Sequence, residues 1–444
     1  MTVHSPISID NLVRIPMRDG VVLAADLYLP QGNGPFATLL CRTPYNRDTA
    51  ALFAIRAARE GFAVVVQDVR GRWGSDGEWV PFVNEQRDGY DTCAWICEQA
   101  WSAGAIGTFG GSYVGLTQWQ AALAGAPGLR AMAPAITGSN YHHGWTYQGG
   151  AFELGFNLSW TLGLAQNNAE RLGGADLDAV IDRYDAIDLA FGRMPLAGDP
   201  LLNRAAPWYD EWLRHPDYDS FWTDLSIEGR YHELDVACFH TGGWLDIFLG
   251  GTVRNYVGMR TGAKTAWARE HQYLLINPRD HYTYSNGWPM GEYDPGVRSA
   301  NAHIDLDGQT LRFFDRVLRN SEAVPFKGGN VSIFVMGEDA WRTEPEWPLA
   351  RAVATDFYLH SGGKANTREG DGTLSREPPT EAEPADRYTY DPLNPVPTVG
   401  GPLCGHISKL EWGRRDQRAV EMRPDVLAYT TGLLAEPMEV TGPV

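Results

Sequence analysis

The feature that most constrains the fold is a regular alternation between continuous apolar runs and segments with helical spacing. FATLLCRTPY and FAVVVQDV are apolar throughout, which predicts buried strands of a parallel sheet that is covered on both faces. Between and after them, TAALFAIRAAREGF, which ends near Gly61, and EQRDGYDTCAWICEQAW are predicted helices. Strands and helices in alternation predict an α/β fold with right-handed crossover connections.

The pattern divides the chain into a core that is interrupted once. A hairpin turning at Asp19-Gly20 precedes the alternation, and the first part of the core is predicted over residues 1–137. Residues 138–234 have helical spacing, many aromatic residues and no clear strand, so we expect an inserted helical cap. The alternation resumes over residues 235–352, which are predicted to complete the core.

The last segment, residues 353–444, loses the helical periodicity. FYLHSG, RYTYDP and VLAYTTG are predicted as short strands between Gly and Pro turns, a pattern typical of a β jelly roll. MEVTGPV opens another strand without a closing element, so we expect a jelly roll that is incomplete at Val444.

Charge and hydropathy limit the partners. The chain has 37 basic and 55 acidic residues, a net charge of −18, which disfavours nucleic acid and anionic membranes as partners. The N-terminus lacks the pattern of a secretory signal, and no apolar run approaches the roughly 20 residues of a membrane span. We therefore expect a soluble, cytoplasmic protein. The oligomeric state is left open, a homodimer included.

The cysteines offer little chemistry. Cys41 and Cys238 lie in apolar runs, where an inert buried thiol is common. Cys93 and Cys97 are explained by adjacent turns of one helix, and no second ligand pair follows at zinc-site spacing. We expect neither a metal nor a cofactor.

The strongest local motif surrounds Ser112. In IGTFGGSYVGLTQWQAALAG an apolar strand enters Gly110-Gly111-Ser112 and leaves as an amphipathic helix. Such a turn exposes a serine hydroxyl at the edge of an α/β-hydrolase sheet, and the helix N-terminus lies close to a developing oxyanion. The alternative is a glycine-rich turn with an incidental serine. The flanking strand and helix favour a nucleophile.

A serine nucleophile needs a base and an acid, which follow it in the order Ser, acid, His in this fold. Asp246 comes just after the strand LDVACFHTGGWL, and His281 comes just after HQYLLINPRD. Side chains at the carboxyl ends of parallel strands meet at one edge. His240 is a rival base, but it precedes the acid; Asp280 is a rival acid, but it adjoins His281.

Two groups are candidates for an oxyanion hole. The backbone N–H of Tyr113 follows the nucleophile and is the expected first donor. Tyr45, in RTPYNR after an early strand, is available as a second donor. On the residues alone an ordinary loop aromatic is the better interpretation of Tyr45.

Six motifs in order along nearly the whole chain resemble the cocaine-esterase-like hydrolases, which are related to X-prolyl dipeptidyl aminopeptidases and α-amino acid ester hydrolases. These motifs are MRDGVVLAADLYLP, CRTPYNR, QDVRGRWGSDGEW, FGGSYVGLTQWQAA, GGWLDIF and NPRDH. The resemblance implies a hydrolase core, a helical insertion and a C-terminal jelly roll, with the active site where they meet.

The resemblance also implies roles for individual residues. Ser112, Asp246 and His281 match the family's triad, and Tyr45 becomes an oxyanion donor beside the Tyr113 amide. By position, the residues that resemble the lining of an acyl pocket are Trp145, Trp160 and Phe248.

The expected function is hydrolysis of small carboxylic esters through an acyl-enzyme. A first alternative is an aminopeptidase, α-amino acid ester hydrolase or acylase that takes amine-bearing substrates; Glu153 and Asp185 are candidate partners for the ammonium. A second alternative is a non-catalytic binding protein built on a truncated hydrolase.

Overall fold

The computed structural model describes residues 6–282, 290–406 and 412–443. The first core segment alternates strands and helices after an initial hairpin, as the sequence predicts. Its elements are β1 (Ile7–Pro16), β2 (Val22–Pro30), β3 (Phe36–Thr43), α1 (Ala51–Arg59), β4 (Ala63–Asp68), α2 (Glu85–Glu98), β5 (Ser102–Gly111), α3 (Tyr113–Leu123) and β6 (Leu129–Ala135).

The inserted segment is helical, as its spacing predicts, apart from two strands of two residues each. Its elements are β7 (Tyr147–Gln148), β8 (Ala151–Phe152), α4 (Leu154–Arg171), α5 (Leu177–Asp185), α6 (Ile187–Phe191), α7 (Pro200–Ala205), α8 (Trp208–Arg214) and α9 (Ser220–Thr223). The long helix α4 packs against α5 and α7, so it is the central element of the insertion.

The second core segment returns to the sheet. Its elements are β9 (Ala237–Leu245), α10 (Leu249–Gly262), α11 (Ala266–Glu270), β10 (Gln272–Asp280), α12 (Asn301–Ile304), α13 (Leu306–Arg319), β11 (Val331–Val335) and β12 (Ala340–Glu344). The β11–β12 hairpin has no counterpart in the sequence prediction. It extends the sheet because Val331 and Ile333 are buried beside β10, to which β11 runs parallel.

One ten-stranded sheet unites both core segments in the order β1-β2-β4-β3-β5-β6-β9-β10-β11-β12. The neighbours from β4 to β11 in this order are parallel. Gly111 of β5 is level with Ala135 of β6, and Leu245 of β9 is level with Asp280 of β10. The residues that follow β5, β9 and β10 therefore emerge at the same carboxyl edge.

Both faces of the central strands are covered, as the apolar runs predict. All six residues of β4 are buried, and Val65 packs in one cluster while Val64 and Val66 pack in the other. Helix α3 contributes Leu116 to the first cluster, and α13 contributes Phe314 to the second. Full burial of each such side chain stabilises the fold by about 1.5–3 kcal/mol, so this double layer makes the sheet a rigid support.

The C-terminal segment has less regular structure than predicted. It contains β13 (Tyr358–His360), β14 (Thr373–Ser375) and α14 (Arg418–Glu421). The strand predicted over RYTYDP, residues 387–392, is wrong: this stretch forms no strand, and Tyr388 and Tyr390 are exposed. VLAYTTG forms only isolated bridges, at Leu427 and Thr430. Val444, at the end of the predicted incomplete jelly roll, lies outside the described residues.

We propose that the boundaries expected from the sequence, after residues 137, 234 and 352, divide these parts of the chain. The first two boundaries lie just after β6, which ends at Ala135, and just before β9, which begins at Ala237.

Candidate active site

Ser112 lies in a strained turn between β5 and α3. Its φ of 60° and ψ of −126° are unfavourable for a residue with a side chain, and they persist because the neighbouring structure holds the backbone. The Ser112 N–H donates to the Ala135 carbonyl at 2.9 Å, and the Ser112 carbonyl accepts from the Thr137 hydroxyl at 2.8 Å. The turn presents the hydroxyl at the carboxyl edge of the sheet.

Two glycines of the motif are required by close packing. A Cβ on Gly110, whose φ is 131°, would overlap the Val114 side chain. A Cβ on Gly115 would lie 2.7 Å from the Thr137 side chain. The placement of glycine at three residues after the serine, rather than two, thus follows from the approach of α3 to Thr137.

Ser112, His281 and Asp246 form one hydrogen-bonded chain. His281 Nε2 lies 3.0 Å from Ser112 Oγ, and His281 Nδ1 lies 2.7 Å from Asp246 Oδ1. The His281 and Asp246 side chains are both buried. The structure therefore brings together the three side chains that the sequence analysis selected, from the ends of β5, β9 and β10.

The surroundings of His281 favour its protonated form. Burial by itself lowers the pKa of His281, but nearby Cys404 and the hydrogen-bonded Asp246 act in the opposite direction, and the net pKa is above the ordinary histidine value. An imidazole of this kind is a strong base once it is neutral.

The rival residues occupy other positions. His240 is buried inside β9, its Nε2 lies 3.0 Å from Gln272 Oε1, and burial lowers its pKa to about 4. Asp280 is the last residue of β10, and its Oδ1 accepts from the Tyr282 N–H at 2.9 Å. Neither forms a hydrogen bond with Ser112 within the described part of the chain.

The Tyr45 hydroxyl lies at the same edge. It accepts a hydrogen bond from Trp160 Nε1 at 3.1 Å. Burial raises the pKa of Tyr45 to about 12, while the Trp160 and Ser112 side chains and the Tyr113 amide lower it. The phenol therefore remains protonated at neutral pH and is close to both the serine and the following backbone N–H.

Tyr113 presents its amide to this edge while its phenol points into the core. The hydroxyl donates to Glu85 Oε1 at 2.9 Å and accepts from the Phe82 N–H at 2.8 Å. Glu85 in turn pairs with Arg42 at 3.0 Å, and both side chains are almost fully buried. Burial raises the pKa of the Tyr113 phenol, and the carboxylate of Glu85 raises it further.

Three aromatic side chains expected from the resemblance lie around the triad. The Phe248 ring lies edge to face with the His281 ring, with the ring centroids 5.2 Å apart. It also stacks on Trp145, with the centroids 4.2 Å apart and an angle of 6° between the ring planes. Trp160 bonds Tyr45 and stacks on Tyr113 at 5.9 Å. The three rings thus form one cluster that contacts the triad at His281 and borders Tyr45.

The candidate ammonium partners are less closely tied to this cluster. Glu153 precedes α4, and burial raises the pKa of its carboxyl group. Asp185 ends α5 and is exposed. In the described segments neither carboxylate forms a hydrogen bond or ion pair with a triad residue.

Cys404 is a neighbour of the site that the sequence analysis does not identify. It is buried, its Sγ lies 3.5 Å from Tyr282 Oη, and it contacts His281. Tyr282 Oη donates to the Gly405 carbonyl and accepts from the Gly405 N–H at 2.9 Å. Cys404 lies in no helix or strand, so no periodic pattern in the sequence indicates its position.

The remaining thiols lie elsewhere. All five cysteines are free; Cys41, Cys93 and Cys238 are buried, and Cys97 is half-buried. Over residues 6–282, 290–406 and 412–443, no three His, Cys, Asp or Glu side chains are grouped to hold a metal ion. No helix in these ranges is both long and apolar enough to cross a membrane.

Comparison with known proteins identifies the family. Residues 19–283 match the model of the X-Pro dipeptidyl-peptidase (S15) family, and residues 327–444 match that of the X-Pro dipeptidyl-peptidase C-terminal non-catalytic domain. The chain is 38% identical to the cocaine esterase of Rhodococcus sp. strain MB1 Bresler, over 98% of this chain and 76% of that protein. The chain belongs to the S15 family of serine hydrolases.

Solved structures agree on the fold. An α-amino acid ester hydrolase has a TM-score of 0.72 at 23% identity, covering 100% of this chain and 75% of that one. An aminopeptidase from a marine-sediment Thaumarchaeota archaeon also has a TM-score of 0.72, at 22% identity, covering 96% of this chain and 71% of that one. These structures support an α/β-hydrolase core with a C-terminal β domain, as the motifs predict. The family match and the cocaine-esterase relative make the chain an enzyme of the esterase and peptidase class.

Proposed function

We propose that this S15 enzyme hydrolyses carboxylic esters of small molecules through an acyl-enzyme on Ser112. The observation that carries the proposal is the continuous hydrogen-bonded chain from Ser112 Oγ through His281 to Asp246. A nucleophile, a base and an orienting carboxylate in this arrangement are the parts that acyl transfer needs.

In the first step Ser112 Oγ attacks the ester carbonyl while His281 Nε2 takes its proton. The tetrahedral intermediate collapses, His281 returns the proton to the leaving alcohol, and the acyl group stays on Ser112. A water molecule then attacks the acyl-enzyme with the same base, which releases the acid. Asp246 holds Nδ1–H, so Nε2 is the nitrogen that faces the serine.

Two donors are proposed to bind the oxyanion: the Tyr45 phenol and the Tyr113 N–H. Both are fixed before substrate arrives, which is the condition for effective electrostatic stabilisation. The rings of Trp145, Trp160 and Phe248 are proposed to hold the acyl group.

Burst kinetics test the nucleophile. Ser112→Ala is expected to abolish the burst of p-nitrophenol from p-nitrophenyl butyrate and labelling by a fluorophosphonate probe, because no acyl-enzyme forms. Ser159→Ala is the matched control: among the described residues its hydroxyl bonds only the Gly155 carbonyl of its own helix, and the burst should persist. An undiminished burst in Ser112→Ala would remove Ser112 from the role. A folded wild type that resists the probe would favour a non-catalytic binding protein.

Tyr45→Phe tests the second donor. Loss of one oxyanion donor costs about 10²–10³ in kcat. The circular dichroism spectrum is expected to be unchanged, because the ring is retained. Turnover at the wild-type rate would return Tyr45 to an ordinary loop aromatic.

Amine-bearing substrates are the competing class within the family. The aromatic cluster beside His281 and Tyr45 supports an uncharged acyl group, while in the described ranges Glu153 and Asp185 are not bonded to the triad. We expect butyryl esters to have a higher kcat/KM than glycyl or phenylglycyl esters of the same alcohol. The reverse order would assign the enzyme to the aminopeptidase or amino acid ester hydrolase type.

A further inference from the structure

Arg72 is a buried cation in the glycine-rich loop that follows β4. Its side chain is 1% exposed. Nε donates to the Pro44 carbonyl at 3.1 Å, and Nη1 donates to the Leu164 carbonyl at 2.8 Å. The guanidinium also lies 4.8 Å from the centroid of the Trp79 ring, a favourable cation–π distance.

Both carbonyls belong to segments that hold Tyr45. Pro44 directly precedes Tyr45 in the chain. Leu164 lies one turn beyond Trp160 on α4, and Trp160 is the residue whose indole N–H bonds the Tyr45 hydroxyl. Arg72 thus connects the loop that carries the phenol to the cap helix that contacts it.

A neighbour strengthens one half of this connection. Trp73 Nε1 donates to the same Pro44 carbonyl at 2.9 Å, although Trp73 is 39% exposed. Two donors on one carbonyl restrict the backbone next to Tyr45 more than either donor alone.

The charge of Arg72 has no directly bonded counter-ion. Arg72 forms no ion pair with a carboxylate of the described chain, although Asp68 is near enough to favour the charged form. Burial lowers its pKa to about 10, so the guanidinium is charged at neutral pH. A buried cation without a counter-ion destabilises a fold. It also gives the adjoining oxyanion site a positive potential.

We propose that Arg72 is a positioning residue for the oxyanion hole, because it bonds the carbonyls of Pro44 and Leu164 at once and so fixes the Tyr45 phenol. The inference rests on the proposed function, since Arg72 acts on the reaction through Tyr45. If Arg72 had only a general structural role, its substitution would lower the stability of the protein, and the effect would be the same with or without the Tyr45 phenol.

A double-mutant cycle separates these two roles. Arg72→Lys and Trp73→Phe are each made in the wild type and in Tyr45→Phe, and kcat and KM are measured for p-nitrophenyl butyrate. In the wild type we expect Arg72→Lys to lower kcat by about 10- to 100-fold, less than the full loss of a donor, with KM changed less than about 3-fold. In Tyr45→Phe the same change should cost less than about 3-fold, because the group it positions is gone.

Trp73→Phe keeps the test decisive if Arg72→Lys does not fold. The indole is partly exposed, and the substitution keeps an aromatic ring while it removes the hydrogen bond to Pro44. We therefore expect a kcat about 3- to 10-fold lower in the wild type and nearly unchanged in Tyr45→Phe. Arg171→Gln is the matched control. It removes bonds to the Trp73 and Ser75 carbonyls but none to Pro44, and kcat should stay within about 3-fold of the wild type.

The outcomes distinguish the two proposals. If Arg72→Lys and Trp73→Phe lower kcat by the same factor in Tyr45→Phe as in the wild type, the positioning role of Arg72 is overturned and the proposed function stays intact. A Tyr45→Phe enzyme as active as the wild type instead overturns the oxyanion role of Tyr45, and the positioning proposal falls with it.

Discussion

Tyr113→Phe separates the two uses of one residue. The backbone N–H is proposed to bind the oxyanion, whereas the phenol hydroxyl bonds Glu85 and the Phe82 N–H inside the core. Phenylalanine keeps the amide and the ring and removes only the hydroxyl. We therefore expect a loss of stability with little loss of rate.

The magnitude follows from the two hydrogen bonds. The buried Phe82 N–H loses its acceptor, which costs about 1–3 kcal/mol, and the Glu85 carboxylate loses a donor worth about 1.5–3 kcal/mol. Together these lower the free energy of unfolding by about 2.5–6 kcal/mol. Phe82 has a φ of 77°, so its backbone depends on such a contact to keep its conformation.

The change in Tm is small because the chain is long. An unfolding entropy of about 2.1 cal/mol/K per residue gives about 0.9 kcal/mol/K for 444 residues, so Tm should fall by about 3–6 °C. Differential scanning calorimetry measures this, and kcat for p-nitrophenyl butyrate at 25 °C should stay within about 3-fold of the wild type because the oxyanion donor is retained.

Tyr141→Phe is the matched control. Tyr141 is equally buried and stacks on Phe82, but its hydroxyl makes no hydrogen bond of normal geometry within the described chain. Its Tm should therefore change much less. A Tyr113→Phe enzyme with an unchanged Tm and a kcat 100-fold lower would refute the reasoning, since the phenol would then serve the reaction and not the core.

Two further predictions concern the base and the turn. His281 must be neutral to accept the serine proton, and its pKa is raised. We therefore expect kcat/KM to increase with pH, with a midpoint above the pKa of an ordinary histidine. Cys404→Ala removes a contact that raises this pKa, so the increase should shift toward lower pH. A pH–rate profile that is the same in both enzymes would exclude the contribution of Cys404. Gly110→Ala places a Cβ against Val114 at a φ of 131°. We expect the free energy of unfolding, measured with urea, to fall by about 1–3 kcal/mol or more, and most of the burst, measured by stopped flow, to be lost. A stable variant with a full burst would contradict the packing argument.

The sequence predicted the convergence of Ser112, Asp246 and His281 for a physical reason. The apolar runs marked parallel strands, and the carboxyl ends of parallel strands share one edge. Ser112, Asp246 and His281 each follow such a strand, so their convergence required only the correct strand assignment. Side chains whose position depends on strand order and polarity are accessible to this reasoning.

Contacts made across the tertiary structure were not accessible. In the sequence Tyr45 is an ordinary loop tyrosine, because its contact with Trp160 of the cap forms only in the folded chain; only the family resemblance suggested the oxyanion role proposed for it. Cys404 reaches the triad because Tyr282 holds Gly405, more than 120 residues away in the chain. RYTYDP alternates like a strand, but alternation predicts a strand only where another strand is available to pair with it.

The two tyrosines of the proposed oxyanion hole are held by groups of opposite charge. Tyr113 is anchored from inside the core by the Glu85 carboxylate, and Tyr45 is anchored from the cap side through carbonyls bound by the Arg72 guanidinium. An oxyanion hole is effective only if its donors are already oriented when charge develops. Each anchor is buried and charged, and so costs stability that an apolar residue of equal size would not cost. The site therefore combines a rigid sheet edge with two polar supports, and a change to one support should alter stability while a change to the other alters the rate.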